Sequence, residues 1–274
     1  MLESILEYQF LQNAIMASVL ASIICGIIGV IIIEKKLTMM SSGVAHTAYG
    51  GVGLGYLLGF EPILGAMFFA VGSALGIGYF KRKGNIQSDI SIALFWSFGM
   101  ALGIVFIGFA PGYPPDMSTY LFGDILAVRR TDLILMAILT GVIVCIILSL
   151  YKDIKAYLFD CEFASIIGIC TTFLEYLILI LIAFSVVILI RIAGIILVLS
   201  LLTAPAAISS LLCKRLSSRM ILSVILGFVF CFFGLWLSYM LNISSGACIV
   251  ILSIICYMCT HIYIKLKKEN QLLK

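Results

Sequence analysis

Two histidines occur in this 274-residue chain, and one of them stands in a setting suited to holding a cation in passing. Within SSGVAHTAYGGVGLGYLLG, residues 41–59, Ser42, His46 and Gly50 recur every four residues and so stack on one helical face. Gly51, Gly55 and Gly59 repeat that spacing along a neighbouring stripe. Small residues at every fourth position let helix backbones approach closely, and a glycine beside an imidazole also leaves room for an ion or water. A charged side chain at membrane depth costs about 2.5 kcal/mol or more on insertion scales. Desolvation therefore favours the neutral ring, which is the form that ligates metals. Two readings of His46 stand at this level. It is either a metal contact on a permeation path lined by Ser42 and Gly50, or a packed histidine bonded to a neighbouring hydroxyl or carbonyl.

Other chemistry-bearing residues are sparse. Cys256, Cys259 and His261 in CYMCTH lack the second ligand pair that a four-coordinate zinc site needs, and read as buried residues of an apolar helix. Nine cysteines lie mostly within apolar runs, where a thiol behaves as a small hydrophobe, so no disulfide framework is expected. In YLFDCEFASIIGI, Asp160 and Glu162 precede an apolar run, where carboxylates suit a helix amino terminus. LLCKRLSSRMI, residues 211–221, is short, basic and amphipathic. A phosphate-binding G-x-x-x-x-G-K-[ST] loop is absent from the sequence, so energy for uphill transport must come from a partner or an ion gradient.

The elements that must position these residues are membrane spans. Hydrophobic residues make up 63% of the chain and charged residues 11%, less than half the share of about 25% in soluble domains. Mean hydropathy is +1.24. Apolar runs bounded by charge predict an all-α polytopic helical bundle of eight or nine spans: 10–33, 41–59, 62–80, 90–110, 132–151, 168–190, 193–212, 220–241 and 246–264. The first run is too long for a cleaved leader and reads as a retained span. With the amino terminus outside and the carboxyl terminus cytoplasmic, 14 of the 17 lysines and arginines fall on the inner side, leaving Arg129, Arg130 and Arg191 outside. The longest polar gap, residues 111–132, opens with three prolines and predicts a short helix over 119–128. The chain reads as one transmembrane domain, residues 1–274. Nothing in it forms the basic face that nucleic acid requires.

Five stretches, in order, resemble the ABC-3 family of metal permeases. AHTAYGGVGLGYLLG is similar to the family's Ser-His-Ala, glycine-rich second span, and YLFGDILAV to its Leu-Phe-Gly-Asp-Ile-Leu segment. FDCEFASIIGI resembles Phe-Asp-Pro-Glu-x-Ala…Gly with Cys161 in the proline's place. AGIILVLSLLTAPAAISSLL resembles its Val-Gly-x-x-Leu-Val…Pro-Ala-Ala span, and NISSGACIVI its Asp-x-Pro-Ser-Gly-Ala turn. The resemblance implies a type II ABC importer-like permease in the plasma membrane of a bacterium or archaeon. It implies a second copy of the chain as partner, cytoplasmic ABC ATPase subunits that hydrolyse ATP, and an extracellular metal-binding lipoprotein. The cargo is a divalent metal ion of the zinc, manganese or iron class, with no permanently bound cofactor. It also implies that Cys213, Lys214, Arg215, Leu216, Ser217, Ser218, Arg219 and Met220 hold the coupling helix, with Asp160 and Glu162 in a supporting cytoplasmic loop. Asn242 is implied as a further residue of the path.

Two departures bear on the cargo. The family usually carries Asp where Ser42 stands, and Asp where Asn242 stands. Each change replaces a carboxylate with an uncharged oxygen donor. Carboxylates suit manganese, whereas imidazole suits zinc, iron or nickel, so an ion softer than manganese, or a loosely held one, is expected. Loose holding is compatible with conduction. The alternatives are a permease of the same architecture carrying a non-metal solute, or a self-sufficient secondary carrier. The latter needs coupling carboxylates or broken helices at membrane depth; Glu175, Asp89 and Asp132 lie only at span edges.

Overall fold

A computed structural model describes residues 8–83, 88–111, 120, 123, 125–241 and 243–272. Among them are ten α-helices and no strand: α1 (Gln9–Glu34), α2 (Thr38–Leu58), α3 (Pro62–Lys83), α4 (Ser88–Phe109), α5 (Arg130–Ser149), α6 (Tyr151–Phe159), α7 (Cys161–Ile166), α8 (Thr171–Leu212), α9 (Leu216–Leu241) and α10 (Ser245–Leu272). Of the predicted helix over 119–128, the described part is a 3-10 turn at Ile125–Ala127, and most of the rest lies outside the described residues.

Seven of these helices are long and apolar enough to cross a membrane, slightly fewer than the eight or nine expected. The difference arises in two places. The runs 168–190 and 193–212 form one 42-residue helix, α8, whose backbone leaves helical geometry at Gly194 (φ 73°, ψ 163°). A glycine is required there, because that region of φ/ψ space is closed to side chains with a Cβ. The second place is α2, diluted by its Ser, Thr, His and Gly residues and so outside the seven. Its 21 residues still measure about 31 Å, enough for a hydrocarbon core of about 30 Å.

The chain divides into two compact units. The first comprises Met1–Ile33, Phe122–Gly141 and Ile192–Lys274. Here α1 is apolar on all sides and packs by close backbone approach. A Cβ on Gly26 would lie 2.6 Å from the Val224 nitrogen of α9, and one on Gly29 would meet the Leu202 carbonyl of α8. Several buried hydroxyls of this unit are satisfied locally or in pairs, as a lipid environment favours, whereas Ser223 Oγ is buried without a partner. Ser18 and Ser22 donate to the carbonyls of Ala14 (2.8 Å) and Ser18 (2.6 Å). Ser200 and Ser253 share a 2.7 Å bond that joins α8 to α10.

The second unit comprises Glu34–Leu121 and Val142–Arg191. Its core is the α2–α3–α4 cluster, in which α2 packs against both α3 and α4. At one end of α3 Arg191 donates to Glu61 at 2.7 Å, and at the other Lys81 lies 3.8 Å from Glu175. Lys35, in the turn before α2, donates through Nζ to the Tyr157 carbonyl of α6 (2.7 Å) and sits 3.7 Å above the Tyr157 ring. Partial burial holds the Lys35 ammonium below the ordinary lysine range.

Candidate permeation site

Helix α2 owes its position to residues without side chains. On one face Gly51 and Gly65 of α3 interlock, each occupying the space where the other's Cβ would stand. On the other face Thr47 meets Gly99 of α4: a Cβ on Gly99 would lie 2.6 Å from the Thr47 Cα. Thr47 Oγ1 donates to the carbonyl of Gly43 (2.7 Å) in its own helix and to that of Phe95 in α4 (3.1 Å). Glycine at the crossing permits the approach, and the hydroxyl ties the two backbones together.

This crossing delivers Trp96 to His46. The two rings lie face to face, with centroids 4.1 Å apart and planes 6° from parallel. Trp96 Nε1 donates to the Met100 sulfur at 3.0 Å. His46 is half-buried, and its Nδ1 is buried with no hydrogen-bond partner. The bond to a hydroxyl or carbonyl that the packed-histidine reading expects is not made at Nδ1. Leaving such an atom unsatisfied costs about 1–3 kcal/mol, and an exception of this kind in a native fold calls for a ligand, a water or a functional explanation. Among the described residues no three His, Cys, Asp or Glu side chains converge.

The other expected residues are distributed as follows. Ser42 is half-buried one turn before His46 on the same face. Gly50 is one turn beyond, but the space beside it is filled: a Cβ there would lie 2.7 Å from the Gly99 carbonyl and 2.9 Å from Phe69. Its small size admits close packing against both α3 and α4. Asn242 lies outside the described residues. Asp160 caps α7, accepting from the backbone nitrogens of Glu162 and Phe163, each at 3.0 Å, and Glu162 is exposed in the first turn.

Cys213, Lys214 and Arg215 form a corner between α8 and α9, whose first turns contain Leu216, Ser217, Ser218, Arg219 and Met220. Of the stretch expected to hold the coupling helix, Leu216–Met220 is helical and continuous with the rest of α9. Leu216 and Met220 are buried, and Arg219 Nε donates back to the Cys213 carbonyl at 2.8 Å. The exposed side chains of the corner are Lys214, Arg215 and Ser217.

Two features were not anticipated from sequence. One is Trp96, whose signal is the pair Gly99 and Gly103, spaced by four like the glycines of α2. The other is an apolar surface on the α6–α7 segment, where Phe159, Phe163, Ile166 and Ile167 are all more than half exposed. FDCEFASII carries that signal, since four large apolar residues cannot all face inward from so short a helix.

Comparison with known proteins places the chain. The manganese transport system membrane protein MntC of Listeria monocytogenes is 34% identical, over 96% of this chain and 93% of that protein. A probable iron transport system membrane protein of Haemophilus influenzae is 30% identical, over 96% of each. The solved structure of PsaBC from Streptococcus pneumoniae in complex with Fab superposes with a TM-score of 0.85 at 30% identity, covering 97% of this chain and 98% of that one. The ABC 3 transport family profile matches residues 7–264, and with this fold and these relatives the chain belongs to that family.

Proposed function

We propose that this chain is the membrane-spanning permease of an ATP-binding cassette importer for a divalent first-row metal ion. Residues 1–274 act as one permease domain, paired with a second copy and driven by separate cytoplasmic ATPase subunits. An extracellular metal-binding lipoprotein delivers the cargo. The amino terminus faces outside, as the Lys and Arg asymmetry favours. The observation that carries the reading is the imidazole of His46, held in a glycine-built helix with one ring nitrogen unpartnered. Neutral imidazole is a common metal ligand, and this one has Ser42 one turn away on the same face. The remaining ligands come from the partner copy, water or the Asn242 region. Relatives named for manganese and iron favour a metal cargo, while the imidazole–hydroxyl donor pair favours the softer end of that series.

Coupling to the ATPase falls on the inner-side segments. The exposed apolar side chains of Phe159, Phe163, Ile166 and Ile167 offer a surface for a soluble partner, with Asp160 and Glu162 shaping its helix. The Cys213–Met220 corner adds Lys214 and Arg215 beside it in function. The test is ATP-driven uptake of manganese, iron and zinc ions into proteoliposomes containing the assembled transporter. His46→Ala is expected to abolish uptake while assembly and basal ATP hydrolysis persist. Wild-type uptake by that variant refutes the assignment, and competition among the three ions orders their preference.

A further inference from the structure

We propose that Trp96 is a positioning residue for the cation contact at His46: its indole fixes the imidazole plane and so aims the ring nitrogens. This inference rests on the permeation reading of His46 and extends it to a residue on another helix. The lone pairs of an imidazole lie in the ring plane, so the direction in which the ring can donate is set by rotation about the Cβ–Cγ bond. In metal proteins that rotation is ordinarily fixed by a hydrogen bond from the nitrogen that does not hold the metal. Here the buried Nδ1 is unpartnered, so no hydrogen bond at that atom fixes the ring, whichever nitrogen meets the cation. The rotation is instead blocked by contact: with centroids 4.1 Å apart and planes 6° from parallel, turning the imidazole drives its edge into the indole face.

The indole is itself held, because Nε1 donates to Met100 one turn further along α4. The α2–α4 crossing is held by Thr47, the residue next to His46, through its bond to the Phe95 carbonyl next to Trp96. Two sequence-adjacent pairs, His46–Thr47 and Phe95–Trp96, thus form one rigid cross-helix unit. The aromatic plate supplies the orientation that a hydrogen-bonded carboxylate supplies elsewhere, without adding a charge to the span.

The chain has two tryptophans, so replacing Trp236 with Phe leaves Trp96 as its sole indole, and the same transporter carrying Trp96→Phe as well supplies the background emission of the other subunits. Assembled transporter carrying Trp236→Phe, in lipid nanodiscs, is titrated with manganese(II) chloride and separately with zinc(II) chloride. Trp96 emission and bound metal, the latter by equilibrium dialysis and elemental counting, are followed together. A saturable emission change that tracks bound metal and disappears in His46→Ala is expected. Trp96→Leu is expected to weaken metal binding by about 10–100-fold, the range typical for loss of an orienting neighbour, and Trp96→Phe to restore most of it. Trp96→Leu binding at wild-type strength, with His46→Ala still defective, overturns the positioning role and leaves the His46 reading intact. Undiminished binding in His46→Ala overturns the His46 reading itself. The emission arm leaves Trp96 in place, so it stands even if Trp96→Leu does not fold; His46-dependent metal binding with unchanged emission overturns the inference.

Discussion

Replacing Gly99 with Ala tests whether the α2–α4 crossing is what presents His46. The new Cβ would lie 2.6 Å from the Cα of Thr47, 2.7 Å from its Cγ2 and 3.0 Å from its Cβ. Rotamer changes relieve only the Cγ2 contact, because the Cα belongs to the backbone. The two helices must therefore separate locally by at least about 0.4 Å before the contact reaches the 3.0 Å limit of real Cβ atoms. Separation also stretches the 3.1 Å bond from Thr47 to the Phe95 carbonyl. Overpacking of this kind costs about 1–3 kcal/mol, and 2 kcal/mol is roughly a thirtyfold change in the folded-to-unfolded ratio. Reversible unfolding in mixed detergent micelles reads that loss, and Trp96 emission reports the opened stack. Gly72→Ala on α3 is the control, since a Cβ there meets nothing within 4 Å and helix propensity favours Ala by up to about 1 kcal/mol. If the Gly99 and Gly72 variants match in stability and emission, close backbone approach does not set the crossing.

Two further substitutions probe other parts of the chain. Gly194→Ala forces a residue with a Cβ into φ 73°, ψ 163°, a region costing about 1–3 kcal/mol; unfolding measurements should show that loss, and wild-type stability would mean that α8 straightens through the site. Asp160→Ala removes the cap accepted from two backbone nitrogens and should weaken α7 by about 1 kcal/mol, reducing metal-stimulated ATP hydrolysis more than metal binding, whereas a larger loss in binding would place Asp160 on the path.

Helix placement was readable because hydrocarbon-length runs are bounded by charge. The predicted 10–33 and 62–80 correspond to Gln9–Glu34 and Pro62–Lys83. The break in α8 was expected near Arg191, since a charge interrupts the apolar run there. The backbone breaks at Gly194 instead, because a charge at a helix surface is compatible with helical geometry while this φ/ψ pair is not. The helical face carrying Ser42 and His46 was legible from the four-residue period. Trp96 was not, because which residue of α4 faces His46 depends on the crossing, and period within one helix says nothing of its partner. The same gap explains Gly50. A missing side chain is visible in sequence, but whether water or the Gly99 carbonyl fills the vacancy is decided by a helix about 50 positions away. The capping role of Asp160 was legible because it depends only on the next three residues.

Lys35 grips α6 in two ways that respond differently to mutation. Its bond goes to the backbone oxygen at position 157, which every amino acid provides, whereas its contact with the Tyr157 ring requires an aromatic there. Drift at position 157 can therefore weaken the grip without releasing it. Replacement of Lys35 releases both anchors at once, so of the two positions the lysine is the one on which the whole contact depends.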